Sequence, residues 1–392
     1  MPAVAAELAH RAREAGRLGI DTEFMGEGRY RPELCLVQIS LPGDDPELGE
    51  VTLLDPLADE PFDPAPLAEV LADPDVEIVL HAGRQDVALL RRLWDCDIRN
   101  VFDTQVAAGF AGMRAQLSYE GLLREVLGVR LRKTASFTRW DRRPLSPEQL
   151  EYAREDVLHL LALAAALQDR LRERGRLDWA REECTYLEHI SDDRDIDTIF
   201  GRLPRVNSLD PGQRAVAREL VEWREGLAER GNRPVSSVLQ DATLVEVAKR
   251  RPQSNERLSQ IRGLHESTLR RRGREILEAV ARGREREGIP VEGERPTQPD
   301  AADAPLIALS EALVRARAAS AELAYELLAT RADLQRIVTA VRSADGDGSA
   351  ADADVRTLQG WRREVVGTEL LDLLAGRRSL RVGPGLDVEV GG

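Results

Sequence analysis

Residues 19–40 read GIDTEFMGEGRYRPELCLVQIS, from Gly19 to Ser40. LGIDTEF and ELCLVQIS read as adjacent strands, joined by the turn-like MGEGRYRP. Two acids, Asp21 and Glu23, stand inside the first of them. Side chains alternate across a strand, so residues two apart project from one face. Two buried carboxylates side by side repel, and one is driven to protonate unless something positive holds them. Arginines could do that; a divalent cation is the natural partner of clustered carboxylates.

Working outward, EVTLLDP adds a third strand and PLAEVLADP a helix that stops at a proline. The apolar run VEIVLHAG leads into the helical RQDVALLRRLWD, which places Asp86 at a helix start beside the first strand. NVFDTQVAAGFAG reads as a strand end entering a helix, with Asp103 or Thr104 as its cap. LSYEGLLREVLG is amphipathic and ends at Gly128. SPEQLEYAREDVLHLLALAAALQDRLRERG predicts one long helix, capped by Ser146 with Pro147 at its first position. Tyr152 and Asp156, four apart, share a face of it. This mixture predicts an α/β domain over residues 1–175.

Strand patterns then cease. A connecting segment, 176–212, precedes helical patterns over 213–288 and 304–380, with a Pro/Gly/Asp-rich linker at 289–303 and a tail at 381–392. The helical regions look like copies: TLVEVAKR matches DLQRIVTA, and both keep an L/I-x-G turn followed by G-x-E-[IL]-L. SDDRDID begins like a calcium loop but has Thr198 where glycine is required. No Gly-rich phosphate loop follows any strand.

The net charge is −14, an odd balance for a nucleic-acid binder. Residues 213–287, however, hold 17 Arg or Lys against 12 Asp or Glu. A basic module is therefore joined to an acidic one. No run of 18 apolar residues exists, so no membrane span is expected, and the N-terminus lacks a secretory pattern. Cys35, Cys96 and Cys184 are scattered and odd in number, which fits a reducing cytoplasm.

Taken together, the motifs resemble the DEDD superfamily of 3′–5′ exonucleases and, within it, the ribonuclease D family. The residues are Asp21-Thr22-Glu23-Phe24, then IVLHAGRQDVALL with Asp86, then FDTQVAA, then Tyr152-Ala-Arg-Glu-Asp156-Val. The tyrosine four before the last aspartate matches the tyrosine subtype. The helical regions resemble HRDC domains. The resemblance implies a ribonuclease H-like α/β exonuclease domain, a mixed sheet flanked by helices, followed by two all-α HRDC-like helical domains. It implies that Asp21, Glu23, Asp86 and Asp156 hold two divalent ions, Mg²⁺ or Mn²⁺, and that Tyr152 orients the attacking water. It also implies a 3′–5′ exoribonuclease trimming structured RNA such as tRNA precursors, monomeric and cytoplasmic. A DNA-repair exonuclease and a non-catalytic RNA-binding adaptor are the alternatives.

Around that centre, Thr22, Phe24 and Met25 are expected to line the terminal nucleotide. His81 is either a site hydrogen-bonder or an interior histidine. Asp103 is read as a cap or supporting acid rather than a fifth metal ligand, and His159 as packing. Lys133, Arg139 and Arg143, interleaved with Phe137 and Trp140, form either a phosphate- and base-binding surface or an ordinary loop. Trp223 and Trp361 read as core. Arg270, Arg271, Arg272 and Arg274 crowd one helix start and are read as phosphate contacts.

Overall fold

The computed structural model describes residues 2–114, 116–131, 139–291, 302–343, 354–385 and 387–391. A helix not foreseen in the sequence, α1 (Pro2–Ala15), leads into β1 (Arg17–Met25). β2 (Glu33–Pro42) returns antiparallel to it, with Asp21 opposite Gln38 and Glu23 opposite Leu36. The register shifts between Glu23 and Phe24, a bulge at the acid-bearing end of the strand. β3 (Gly49–Leu54) pairs antiparallel with β2. After α2 (Ala65–Leu71), β4 (Glu77–Leu80) lies parallel to β1. After α3 (Arg84–Trp94), β5 (Val101–Asp103) lies parallel to β4 and runs straight into α4 (Thr104–Phe110). The order β3-β2-β1-β4-β5 puts β1 at the centre of a mixed sheet, as expected. β1 and β4 end on the same side, and such strand ends are where open α/β sheets form their sites.

The two faces of β1 are used differently. Leu18 and Ile20 bury themselves against α1, α2 and α3. Gly19, Asp21 and Glu23 face the other way. α5 (Tyr119–Leu122) continues as a π-helical turn, Leu123–Leu127, to Gly128 at φ +72°. The long helix expected after it is two helices, α6 (Pro147–Leu158) and α7 (Leu160–Glu173), broken at His159. Ser146 and Gln149 form the predicted cap as a reciprocal capping box. The His159 ring sits on the Glu47 carbonyl at 3.0 Å, and Leu160 drops onto Gly19, where a Cβ would stand 3.2 Å from its side chain. The break lets α6 lie over β3, β2 and β1 while α7 packs on α4 and the π-helical turn.

α8 (Leu177–Glu188) and α9 (Ile196–Gly201) connect to the first helical module. That module is α10 (Pro211–Arg230), α11 (Val235–Val238), α12 (Asp241–Arg250), α13 (Asn255–Ser259) and α14 (Glu266–Glu285). It has its own core, including Leu220, Leu244, Val247 and Ile276. Its two ends meet: the Ile289 N–H donates to the Pro211 carbonyl at 3.0 Å. A polar clasp joins it to the β1–β2 loop, where the Tyr30 hydroxyl donates to Glu225 at 3.1 Å and Arg194 reaches the same carboxylate at 2.7 Å.

The second module repeats the opening order of the first: α15 (Asp303–Ser320), one-turn α16 (Tyr325–Leu328) and α17 (Arg331–Ser343), then α18 (Gly360–Arg362) and α19 (Thr368–Leu374). Its core is not separate. Leu313, Trp361 and Leu370 belong to one apolar cluster with Phe102, Phe110 and Leu163 of the nuclease. Trp361 meets Phe110 edge-on at 4.9 Å and stacks on Trp179 at 5.4 Å, so it is core, as read. The expected tail is instead part of a hairpin, β6 (Ser379–Val382) with β7 (Val388–Gly391); the boundary read at residue 380 falls inside a strand. Among the described residues no helix is long and apolar enough to cross a membrane.

Candidate active site

β1, the first turn of α3 and the last turn of α6 bring four carboxylates within electrostatic reach of one another. Asp21 is half-buried, and desolvation raises its pKa well above the carboxylate range; the charges of Asp86, Asp156 and Glu23 then add to the rise. Glu23 is pushed up to about 8, by burial first and then by Asp156 and Asp86. Asp156 is pushed up to about 7 by burial and by Glu155, against a hydrogen bond from Tyr152 that lowers it. Burial also raises Asp86, while the Thr22 hydroxyl, which donates to it, pulls the other way. Like charges thus oppose one another across three segments that lie far apart in the chain.

This donor set fits hard divalent cations, which take carboxylate oxygens and supply the missing positive charge. Among the described residues no three Asp, Glu, His or Cys side chains converge on one point. Tyr152 hydrogen-bonds Asp156, one turn along α6; burial and the surrounding acids drive its own ionisation far up, so it stays a protonated donor.

Several supporting residues have other duties than those read from sequence. Thr22 faces α3, only 6% exposed, and its hydroxyl donates to Asp86. Met25 packs in a small cluster with Cys35, Leu36 and Trp140. Phe24 does border open space, a cavity of 220 Å³ shared with Pro32, Arg84, Gln85 and Ile190. Trp140 is 3% exposed and lies 6.1 Å from the Tyr152 ring, so it backs the phenol and offers no face to a base. Arg143 is spent internally: it grips Asp55 at 2.6 and 2.5 Å and the carbonyls of Cys35 and Trp140, both at 2.7 Å. Arg139 pairs with Asp141 at 3.0 Å. Lys133 and Phe137 lie outside the described residues. His81 is half-buried: its Nδ1 is 3.0 Å from the Thr104 hydroxyl, and desolvation lowers its pKa.

Asp103 ties the site together without joining it. Its Oδ1 accepts from the N–H groups of Gln105 at 2.8 Å, Val106 at 3.2 Å and Ala82 at 3.2 Å; its Oδ2 accepts from Gly83 at 2.8 Å. It therefore caps α4, as read, and also clamps the β4–α3 turn, where Ala82 takes φ +53°. That turn delivers Asp86. In the first helical module Arg270 and Arg274 pair with Glu266 and Glu278 on their own helix, at 3.5 and 2.8 Å. Arg271 turns back to the Ser267 carbonyl at 3.3 Å, and Arg272 is only 9% exposed. The four do not present one free cationic face.

Comparison with known proteins gives the geometry its context. A family model described as 3′–5′ exonuclease matches residues 2–172, and one for the HRDC domain matches residues 213–280. A ribonuclease D of Granulibacter bethesdensis is 38% identical over 93% of this chain and 88% of its own. One from Gluconacetobacter diazotrophicus is 36% identical over 96% and 92%. The chain belongs to the ribonuclease D family. The crystal structure of Escherichia coli RNase D, described as an exoribonuclease involved in structured RNA processing, superposes with a TM-score of 0.81 at 25% identity, covering 95% of this chain and 97% of that one. With its exonuclease and HRDC regions, this ribonuclease D-type chain is a 3′–5′ exoribonuclease that depends on divalent metal and acts on RNA.

Proposed function

We propose that this enzyme trims the 3′ ends of structured RNA, tRNA precursors among them, and releases nucleoside 5′-monophosphates. In this reading residues 1–175 are the catalytic unit, 213–288 an HRDC domain and the region after 304 a second HRDC-like module. Two divalent ions, Mg²⁺ or Mn²⁺, held by Asp21, Glu23, Asp86 and Asp156, would activate water and stabilise charge on the leaving 3′ oxygen. The observation that carries the reading is the Asp21 carboxyl, raised first by desolvation and then by three other acids from β1, α3 and α6. Such a cluster is costly unless cations offset it.

The chain's own residues supply the rest. Thr22 fixes Asp86 from across the strand. Tyr152, held protonated, donates to Asp156 and would orient the attacking water. Trp140 behind it limits the swing of the ring. Phe24, at the mouth of the neighbouring cavity, offers an apolar face to the terminal nucleotide.

The test is product analysis on a precursor tRNA labelled at its 5′ end, and on a matched DNA strand, with and without chelator. Stepwise shortening from the 3′ end, faster on RNA, abolished by chelator and by Asp21→Ala, is the expected result. Faster shortening of DNA would make this a DNA exonuclease. Equal background in the parent and Asp21→Ala would make it a binding adaptor.

A further inference from the structure

The cavity that Phe24 borders is walled by three segments that meet beside the acids. Phe24 directly follows Glu23 at the end of β1. Arg84 is the first residue of α3, two before Asp86. Ile190 and Asp192 lie just past the end of α8. Two other arginines of α3 fix these walls from behind. Arg92 donates to Asp192 at 2.7 and 3.0 Å and to the Pro32 carbonyl at 3.2 Å, and Arg91 donates to the Ile190 carbonyl at 2.9 Å. The charge of Asp192 is thereby paired, and the cavity keeps its shape without Arg84.

Arg84 itself is exposed and makes no hydrogen bond or ion pair among the described residues. Its Cζ stands 5.8 Å from the centroid of the Tyr186 ring, which belongs to the last turn of α8. Tyr186 is 63% exposed, so most of that ring is open. A bare aromatic face beside an unpaired guanidinium offers single-stranded nucleic acid a surface to stack on and a charge for its backbone. A polyanion brought to four carboxylates needs such a cation close by. Arg139 and Arg143 do not supply it, since Asp141 and Asp55 hold them.

We infer that the single-stranded 3′ segment of RNA leaves the acids past Phe24, crosses this cavity and lands on Arg84 and Tyr186. Arg84 holds a phosphate and Tyr186 stacks a base, both upstream of the terminal nucleotide. The inference rests on the reading of the four acids as the reacting centre. Stacking and phosphate contact are tolerant of sequence, so this platform adds grip without base preference.

The experiment uses the full chain with Tyr186→Ala, Tyr186→Phe and Arg84→Gln. Fluorescence anisotropy in chelator, where nothing is cleaved, gives Kd for a labelled single-stranded RNA of about ten nucleotides at several salt concentrations. Steady-state cleavage of the same RNA in Mg²⁺ gives kcat and KM. Tyr186→Ala should raise Kd about tenfold, the scale of one lost base stack, and Tyr186→Phe should stay within about twofold of the parent. Arg84→Gln should raise Kd several-fold and lower the slope of log Kd against log salt by about 0.7, the share of one phosphate on a single strand. In Tyr186→Ala and Arg84→Gln, KM should rise with kcat within about twofold, the pattern of lost uniform binding. Both side chains are at the surface, so the melting temperatures should match the parent. Parent-like Kd and KM in Tyr186→Ala, or an unchanged salt slope in Arg84→Gln, would overturn the platform. So would a fall in kcat at unchanged KM, which would move these residues into the chemical step. Parent-like cleavage by Asp21→Ala would instead overturn the reading of the acids on which the path of the strand depends.

Discussion

Replacing Asp103 by Asn removes one charge and turns one acceptor into a donor. The native carboxylate, 1% exposed, receives four backbone N–H groups, three on Oδ1 and one on Oδ2. With the amide oxygen kept toward Gln105, Val106 and Ala82, its NH₂ points at the Gly83 N–H. The native bond there is 2.8 Å and charge-assisted, and such bonds contribute about 1.5–3 kcal/mol. A buried N–H left facing another donor costs a similar amount again, and the three remaining bonds weaken to a neutral acceptor. We expect a loss of about 3 kcal/mol in a urea titration followed by far-UV circular dichroism. Cation stoichiometry measured by calorimetry should be unchanged. The Asp86 carboxyl should titrate lower, because the Asp103 charge now raises it. Unchanged stability together with the loss of one bound cation would refute the clamp and make Asp103 a fifth ligand.

Three further outcomes follow from the same chemistry. Asp21→Asn should abolish cleavage yet raise the melting temperature of chelator-treated protein at pH 8, since it removes a carboxyl whose ionisation desolvation and three neighbouring acids oppose; a lower melting temperature would contradict that account. Glu23 and Asp156 have raised folded-state pKa values, about 8 and about 7, so the stability they contribute without metal is full below pH ~4 and lost as pH rises through 7–8. Over pH 6–8 cation affinity should rise and binding should release protons, readable by calorimetry in buffers of different ionisation enthalpy; pH-independent affinity would count against the cluster. Arg143→Lys cannot grip Asp55 through two nitrogens while also reaching the Cys35 carbonyl, and should cost about 2 kcal/mol with little change in KM for RNA; a large KM rise at unchanged stability would restore the phosphate-contact reading.

The acids were legible because their relations are local: two apart on a strand, four apart on a helix, one at a helix start. The mixed sheet followed from strand and helix periods. What escaped was decided by contacts between distant segments. LHLLALAAAL is continuous helix by its own period, and only the Glu47 carbonyl and the room at Gly19 show why it breaks at His159. Arg143 and Trp140 sit in a charged loop that looks exposed, yet Asp55 and Tyr152 draw them inward. The second helical module carries the pattern of a separate domain; nothing in that pattern tells that its apolar residues complete the nuclease core.

The meeting of Pro211 with Ile289 bears on how this architecture can change. The first helical module enters and leaves the protein through one doorway, and Phe200, Leu203 and Val206 of the segment just before it complete its apolar core. It is a cassette clipped into a frame that closes without it, since the segments beyond residue 303 hold to the nuclease by their own packing. Another insert with equally close ends could take its place and leave the catalytic scaffold undisturbed, whereas losing the later module would strip the nuclease of part of its interior.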